Sequence, residues 1–487
     1  MSETHRLDLP GTDVVAVPLA GSAHTGDRAT DVTSPYDGSL IGRVPVCGVD
    51  DVQRAVTTAE RALADQRLAP WQRAEILDRA AVLLRERKEE FAQIIAREAA
   101  KPIKTARVEA ERASGTFTFA ALEARRLTGD VIPIEAAPGA DGKIAYTMRV
   151  PIGVIGAISP FNFPLNLVAH KVAPAIAAGA PVVLKPAGQT PFSAIALAWL
   201  LIEECGLPAE YLSVTTGSGT VVGNALVDDD RVALITFTGS PEVGWAIRAK
   251  APRKRVGLEL GNNAPVIIAA DGDWKKAADK IKVAGFSHAG QSCISTQRVF
   301  VHRDHVADFT EYLGGLVDTL VVGDPLDDKT DVSALISQNE RDRVKGWVDD
   351  AVAQGGRIVT GGTIDANGVL VPTVIADAKP DMLVCLKEVF GPVVAIQAID
   401  SVDEGLKLAN DTAYGLQAAV FTRDLATAFA AVRALDFGGV LVNEVPTWRA
   451  DQMPYGGLRD SGNTREGPHY SVAEMTETRL VVIDTSA

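Results

Sequence analysis

Two periodicities divide this chain. From Val49 to about Leu127 apolar residues recur at helical spacing within Ala-, Arg- and Glu-rich text, as in Trp71-Gln72-Arg73-Ala74-Glu75-Ile76-Leu77 and Phe91-Ala92-Gln93-Ile94-Ile95. The residues before them, 1 to about 50, are mixed and turn-rich, with Ser34-Pro35-Tyr36-Asp37-Gly38 a clear turn. After Gly129 the runs Val131-Ile132-Pro133-Ile134 and 143–150, split by a Gly/Pro/Asp segment, predict a protruding β-hairpin. Short, largely apolar runs at 154–158, 182–184, 212–215 and 233–237 then alternate with helical stretches at 166–178, 192–205, 221–227 and 241–250. That alternation predicts a parallel sheet covered on both faces, with its ligand beyond the carboxyl ends of the strands.

The same style returns from Pro265 to about Gly439, with strands near 266–269, 298–301, 393–397 and 418–422, so a second α/β domain is expected. A chain of 487 residues is too long for one core, which agrees. The last apolar run, Arg479-Leu480-Val481-Val482-Ile483, has nothing after it to cover it and invites pairing with the hairpin or with another subunit.

Charge narrows the partners. A net charge of -14 argues against nucleic acid and against an anionic membrane surface, though local arginines still allow an anionic small substrate. Residues 151–169 are uncharged and long, but Pro151, Pro160 and Pro164 break them as a span. Cys47, Cys205, Cys293 and Cys385 are scattered without a CxxC pair, so no metal is expected and a reducing compartment fits best. With no signal pattern at the N-terminus, a cytoplasmic location is expected.

Chemistry gathers at a few places. In Gly290-Gln291-Ser292-Cys293-Ile294-Ser295-Thr296-Gln297-Arg298 a thiol lies among small, turn-permissive residues at a strand entrance, where it can be reached. A lone cysteine is usually buried and inert, so its company decides. Three glycine-rich strand ends, Lys185-Pro186-Ala187-Gly188, 217–223 and Phe237-Thr238-Gly239-Ser240, suit a phosphate-bearing ligand at a helix N-terminus. Glu259, at a strand end before Gly261-Asn262-Asn263, is a candidate base for water or the thiol. Asn162, within Pro160-Phe161-Asn162-Phe163-Pro164, offers an amide to a developing oxyanion; its alternative is a turn residue.

With Glu388-Val389-Phe390-Gly391-Pro392 and Pro454-Tyr455-Gly456-Gly457, these motifs resemble the NAD(P)-dependent aldehyde dehydrogenases over essentially the whole chain. The resemblance implies two doubly wound α/β domains and a small β oligomerisation arm. Its boundaries are 1–127 with 151–258 for the coenzyme, 259–469 for catalysis, and 128–150 with 470–487 for the arm. By resemblance Cys293 is the nucleophile, Glu259 the base and Asn162 the oxyanion donor. NAD or NADP is expected against Ile158, Ser159, Pro160, Phe161, Lys185, Ala187, Gly188, Gly219, Gly223, Phe237, Gly239, Ser240, Val243, Leu260, Glu388 and Phe390. The family usually has glycine where this chain has Asn262, a residue that tolerates left-handed backbone.

Arg107, Arg298 and Arg449, with Asn162 and Gln297, are expected around the substrate, and the chain's style resembles the lactaldehyde, phosphonoacetaldehyde and sulfolactaldehyde branch. A small anionic aldehyde is therefore expected, since arginine clamps such groups bidentately. The alternatives are a semialdehyde or neutral hydroxyaldehyde enzyme, a CoA-acylating relative, and a structural protein retaining the fold. Strict NAD enzymes of the family carry Glu where this chain has Gly188, so use of both coenzymes within about tenfold is expected. The exposed pairing edges predict a homodimer or homotetramer.

Overall fold

The structure, a computed structural model, describes residues 9–486. The helical text folds into four helices, Val49–Asp65, Pro70–Glu86, Lys88–Ala99 and Ile103–Arg126. Each boundary has a local cause. Pro70 opens the second helix with its φ already set, and Gln72 reaches back to accept from the Ala69 N–H at 2.8 Å. The third ends where Ala100 turns left-handed at φ 48°.

The first sheet runs in the order Arg255–Glu259, Val232–Thr238, Val154–Ile158, Val182–Lys185, Leu212–Val214, and every pairing is parallel. From the central strand Val154–Ile158 the chain moves outward to one side through 182–185 and 212–214, then returns to build the other side. Such a reversal opens a crevice at the carboxyl ends of the strands. All thirteen residues of the helix Asn166–Ala178 are buried. The stretch expected as a helix at 221–227 divides into a π-turn over Gly219–Gly223 and a short helix Asn224–Asp228.

A seven-stranded sheet follows, in the order Arg357–Thr360, Thr373–Ala376, Val393–Ile399, Arg298–His302, Pro265–Ile268, Gln417–Phe421, Gly439–Val442. Only its Arg357–Thr360 edge is antiparallel. The closing strand Thr476–Asp484 lies antiparallel on Lys143–Pro151, whose other side takes Val131–Ile132. The C-terminal run thus pairs with the hairpin, and its outer edge carries exposed Leu480, Val482 and Ile483. The turn-rich opening text contains two short strand pairs, Val17–Leu19 with Ser22–His24 and Ala29–Thr33 with Leu40–Pro45. Runs so brief show no readable alternation.

Candidate active site

The carboxyl ends of the five-stranded sheet open into a cleft of about 1280 Å³ that extends to the edge of the second sheet. Asn162, Glu259 and Cys293 line it, as does every residue expected around the coenzyme, from Ile158 to Phe390.

Cys293 is placed by a strained turn. His288, Ala289 and Gly290 have φ of 51°, 53° and 70°, and a Cβ on Gly290 would lie 2.1 Å from the Gly391 carbonyl oxygen, so only glycine fits there. Left-handed backbone at His288 and Ala289 costs roughly 1–3 kcal/mol each, and surrounding bonds hold it. The Gln291 N–H and side-chain amide both donate to the His288 carbonyl, and downstream the Thr296 N–H and the Ser295 hydroxyl donate to the Ala284 carbonyl. The Cys293 thiol is then half-buried, and burial pushes its pKa up to about 12, against the opposing hydrogen bond with the Tyr455 hydroxyl at 2.7 Å. Once the thiol ionises, that hydroxyl is the donor to the sulfur.

Glu259 ends its strand fully enclosed, and among the described residues neither carboxylate oxygen has a hydrogen-bond partner. Burial, then the charge of Glu466, raises its pKa well above the carboxylate range, while Arg449 and Lys171 oppose the shift. An acceptor with open lone pairs that gains its charge as pH rises is suited to take a proton from water. Asn162 uses one amide hydrogen on the Gln291 carbonyl at 3.0 Å, leaving its second available to an oxyanion.

The coenzyme fits on three observations. Lys185 is buried, and its ammonium donates to the Pro186 carbonyl within its own loop at 3.0 Å. Gly188 and Gly219 face open space where a side chain would stand, leaving the backbone accessible to a phosphate or ribose. Ser240 sits at the N-cap of the ten-residue helix Pro241–Lys250, whose first residues Pro241, Glu242 and Val243 line the cleft and bring a helix N-terminus to it. On the far side burial lifts the Glu388 carboxyl to about 7, although it accepts the Asn262 N–H at 2.9 Å. Phe390 meets Phe161 edge-to-face with ring centres 5.8 Å apart.

The aldehyde dehydrogenase family model matches residues 22–481. The chain belongs to that family. It is 45% identical over 464 residues to a 3-sulfolactaldehyde dehydrogenase of Priestia aryabhattai, spanning 95% of this chain and 97% of the relative. It is 38% identical over 457 residues to a lactaldehyde dehydrogenase of Methanocaldococcus jannaschii, spanning 93% and 97%. Among solved structures, the glyceraldehyde-3-phosphate dehydrogenase GapN of M. jannaschii with NADP superposes with a TM-score of 0.90 at 38% identity, covering 94% of this chain and all of that one. Aldehyde dehydrogenase 21 of Physcomitrella patens, with succinate, superposes at 0.93 and 37% identity over 98% and 99%. This aldehyde dehydrogenase therefore oxidises an aldehyde to its acid with NAD or NADP.

Several expectations for the substrate end are corrected. Arg107 lies on the outer surface in ion pairs with Glu89 and Asp328, away from the cleft. Arg298 is buried in its strand and donates to the carbonyls of Asn263, Leu408 and Ala409, each at 3.0 Å, so its hydrogen bonds are structural. Gln297 donates to Val384 and Lys387 carbonyls and accepts the Val389 N–H, which pins the loop carrying Glu388. Asn262 has no left-handed backbone; its amide donates to the Gln417 carbonyl at 3.2 Å.

Arg449 alone of the three arginines packs beside the reacting centre, on the tyrosine that contacts Cys293. Its guanidinium lies 3.8 Å from the centre of the Tyr455 ring, donates to Glu466 at 2.9 Å and packs 3.2 Å from His170 Nε2. Beside it, Arg112 pairs with Asp451 at 2.7 Å, and Asp451 also receives the Asn166 amide and the His170 ring. Arg112, Asp451, His170, Lys171, Tyr455 and Glu466 escaped the sequence reading as a site. The legible signal was Asn166, His170 and Lys171 on an otherwise apolar helix, polar groups that a buried helix keeps only with partners.

Proposed function

We propose that this enzyme oxidises a small aldehyde carrying a carboxylate, phosphonate or sulfonate, held at its anionic end by Arg449 with Arg112 beside it. The single observation that carries the reading is Arg449, a buried arginine stacked on Tyr455, whose hydroxyl touches the Cys293 sulfur. A cation so near the thiol is placed for a substrate only a few atoms long. The name of the 3-sulfolactaldehyde dehydrogenase relative, whose substrate carries a sulfonate, supports that class, whereas the neutral lactaldehyde of the other relative matches the hydroxyaldehyde alternative.

In this reading the Cys293 thiolate attacks the carbonyl carbon while the Asn162 amide and the Cys293 backbone N–H receive the developing oxyanion. Held by the Lys185, Gly188 and Ser240 end of the cleft, NAD or NADP would supply the hydride acceptor for oxidation of the adduct on Cys293 to a thioester. Glu259 in its ionised form then takes a proton from water as the water attacks the thioester, and the thiolate leaves. Hydrolysis through Glu259 argues against CoA as the acyl acceptor.

Lys185 lies at the expected ribose end, and no carboxylate stands at Gly188 to repel a 2'-phosphate, which supports use of both coenzymes. The exposed apolar edge of Thr476–Asp484 supports a homodimer or homotetramer. No helix among the described residues is long and apolar enough to cross a membrane, and the unpaired cysteines support a cytoplasmic location. The test is reduced-coenzyme formation across aldehydes of equal length with and without an anionic end. The anionic members are expected to have kcat/KM at least tenfold higher; equal values for neutral ones would refute the anion site.

A further inference from the structure

Outside the residues that line the cleft, where the N-terminal strand pair meets the first helix, the ligating atoms of His24, Cys47 and Asp51 come together. His24 Nε2, Cys47 Sγ and an Asp51 oxygen all lie within 4.8 Å of one another, and Nε2 is 3.8 Å from Asp51 Oδ1. The three residues come from different pieces of chain: the strand Ser22–His24, the loop before the helix, and the first turn of Val49–Asp65. Chain folding brings an imidazole, a thiol and a carboxylate together, a donor set of one nitrogen, one sulfur and one oxygen that suits a tetrahedral borderline-soft cation. Metal–ligand lengths of about 2.0–2.3 Å separate tetrahedral ligands by roughly 3.3–3.6 Å, so modest side-chain rotation closes the group.

The neighbours allow that closure. Asp51 Oδ2 accepts the Gly48 N–H at 2.8 Å and Oδ1 accepts from Arg54 at 2.6 Å, which fixes the carboxylate while leaving lone pairs on both oxygens. Arg54 is more than half exposed and is free to swing into solvent as a cation takes its place. His24 and Asp51 are about one-fifth exposed, which gives an entry path, whereas Cys47 is buried, with Thr216 Oγ1 3.8 Å from its sulfur.

We propose that His24, Cys47 and Asp51 bind one divalent cation of the zinc class, with water in the fourth position. Binding replaces the S–H bond of Cys47 by a sulfur–metal bond and releases that proton to solvent, with no change of oxidation state. The Cys47 N–H donates to the Thr216 carbonyl at 2.9 Å, and the next residue, Gly217, lines the coenzyme cleft. The cation therefore ties the N-terminal strands to a wall of that cleft.

The probe is Co²⁺ alone, added to the full chain carrying Cys293→Ala so that the active-site thiol contributes nothing. Equilibrium dialysis is expected to give one equivalent bound, with a thiolate-to-cobalt charge-transfer band that Zn²⁺ abolishes by displacement. His24→Ala, at a partly exposed position that folding tolerates, is expected to weaken binding at least tenfold, and Cys47→Ser to remove the band. The thermal midpoint is expected to rise with Zn²⁺ in the parent and not in either variant. Binding and band unchanged in both variants, or no bound cobalt in the parent, would overturn the assignment.

Discussion

Replacing Arg449 by Met removes the cation assigned to the substrate's anionic end, and its consequences divide between binding and stability. Each charge-assisted bond to a desolvated anion contributes about 1.5–3 kcal/mol, a factor of roughly 10–150 in kcat/KM. The same change strips Glu466 Oε2 of its donor, and breaking a buried pair costs about 3–5 kcal/mol. Lys171 softens that loss: its ammonium stays 3.9 Å from Glu466 Oε1, an attraction of about 4 kcal/mol at an effective dielectric near 20. The informative variant is thus Arg449→Met with Glu466→Gln, in which no carboxylate is stranded. Its denaturant midpoint should recover relative to Arg449→Met alone. Its kcat/KM should fall by one to two decades for an anionic aldehyde and by less than about threefold for a neutral one of equal length. Equal losses for both aldehydes in the double variant would show that Arg449 braces the protein and reads no anion.

Other perturbations follow from the same geometry. Arg298→Met leaves three buried carbonyls short of a donor at about 1–3 kcal/mol each, so thermal denaturation should show a large loss of stability with no selective loss on anionic substrates. Gly188→Glu has room, since a Cβ there meets nothing within 4 Å, and steady-state kinetics should show the NAD to NADP ratio rising at least tenfold. Glu466→Gln removes the charge that, after burial, most raises the Glu259 carboxyl. A carboxyl held high becomes a base only as pH climbs through its raised pKa, so lowering that pKa moves the ascending limb of the kcat–pH profile toward acid; an alkaline shift would contradict the coupling.

The sheets were legible because their strands are short apolar runs between helices, and such text has few other foldings. The catalytic cleft was legible because glycine and proline punctuate the strand ends that build it. The substrate end was not, for two physical reasons. Arg298 follows the thiol closely in sequence, yet strand geometry turns its side chain away into the carbonyls of 263, 408 and 409. Arg112 and Asp451 lie far apart in sequence and form a pair only when the loop near 451 packs between two helices, a contact that no local pattern encodes. The N-terminal strand pairs escaped because strands of three to six residues carry too little periodicity to read.

The central claim is that a thioester forms on Cys293 and that Glu259 drives its hydrolysis. Glu259→Gln mixed with an anionic aldehyde and coenzyme should release a burst near one equivalent of reduced coenzyme, then turn over slowly. Mass spectrometry of the quenched protein should find the aldehyde's mass less two hydrogens on the peptide containing Cys293. No adduct, or an adduct on Cys47, Cys205 or Cys385 instead, would contradict the account.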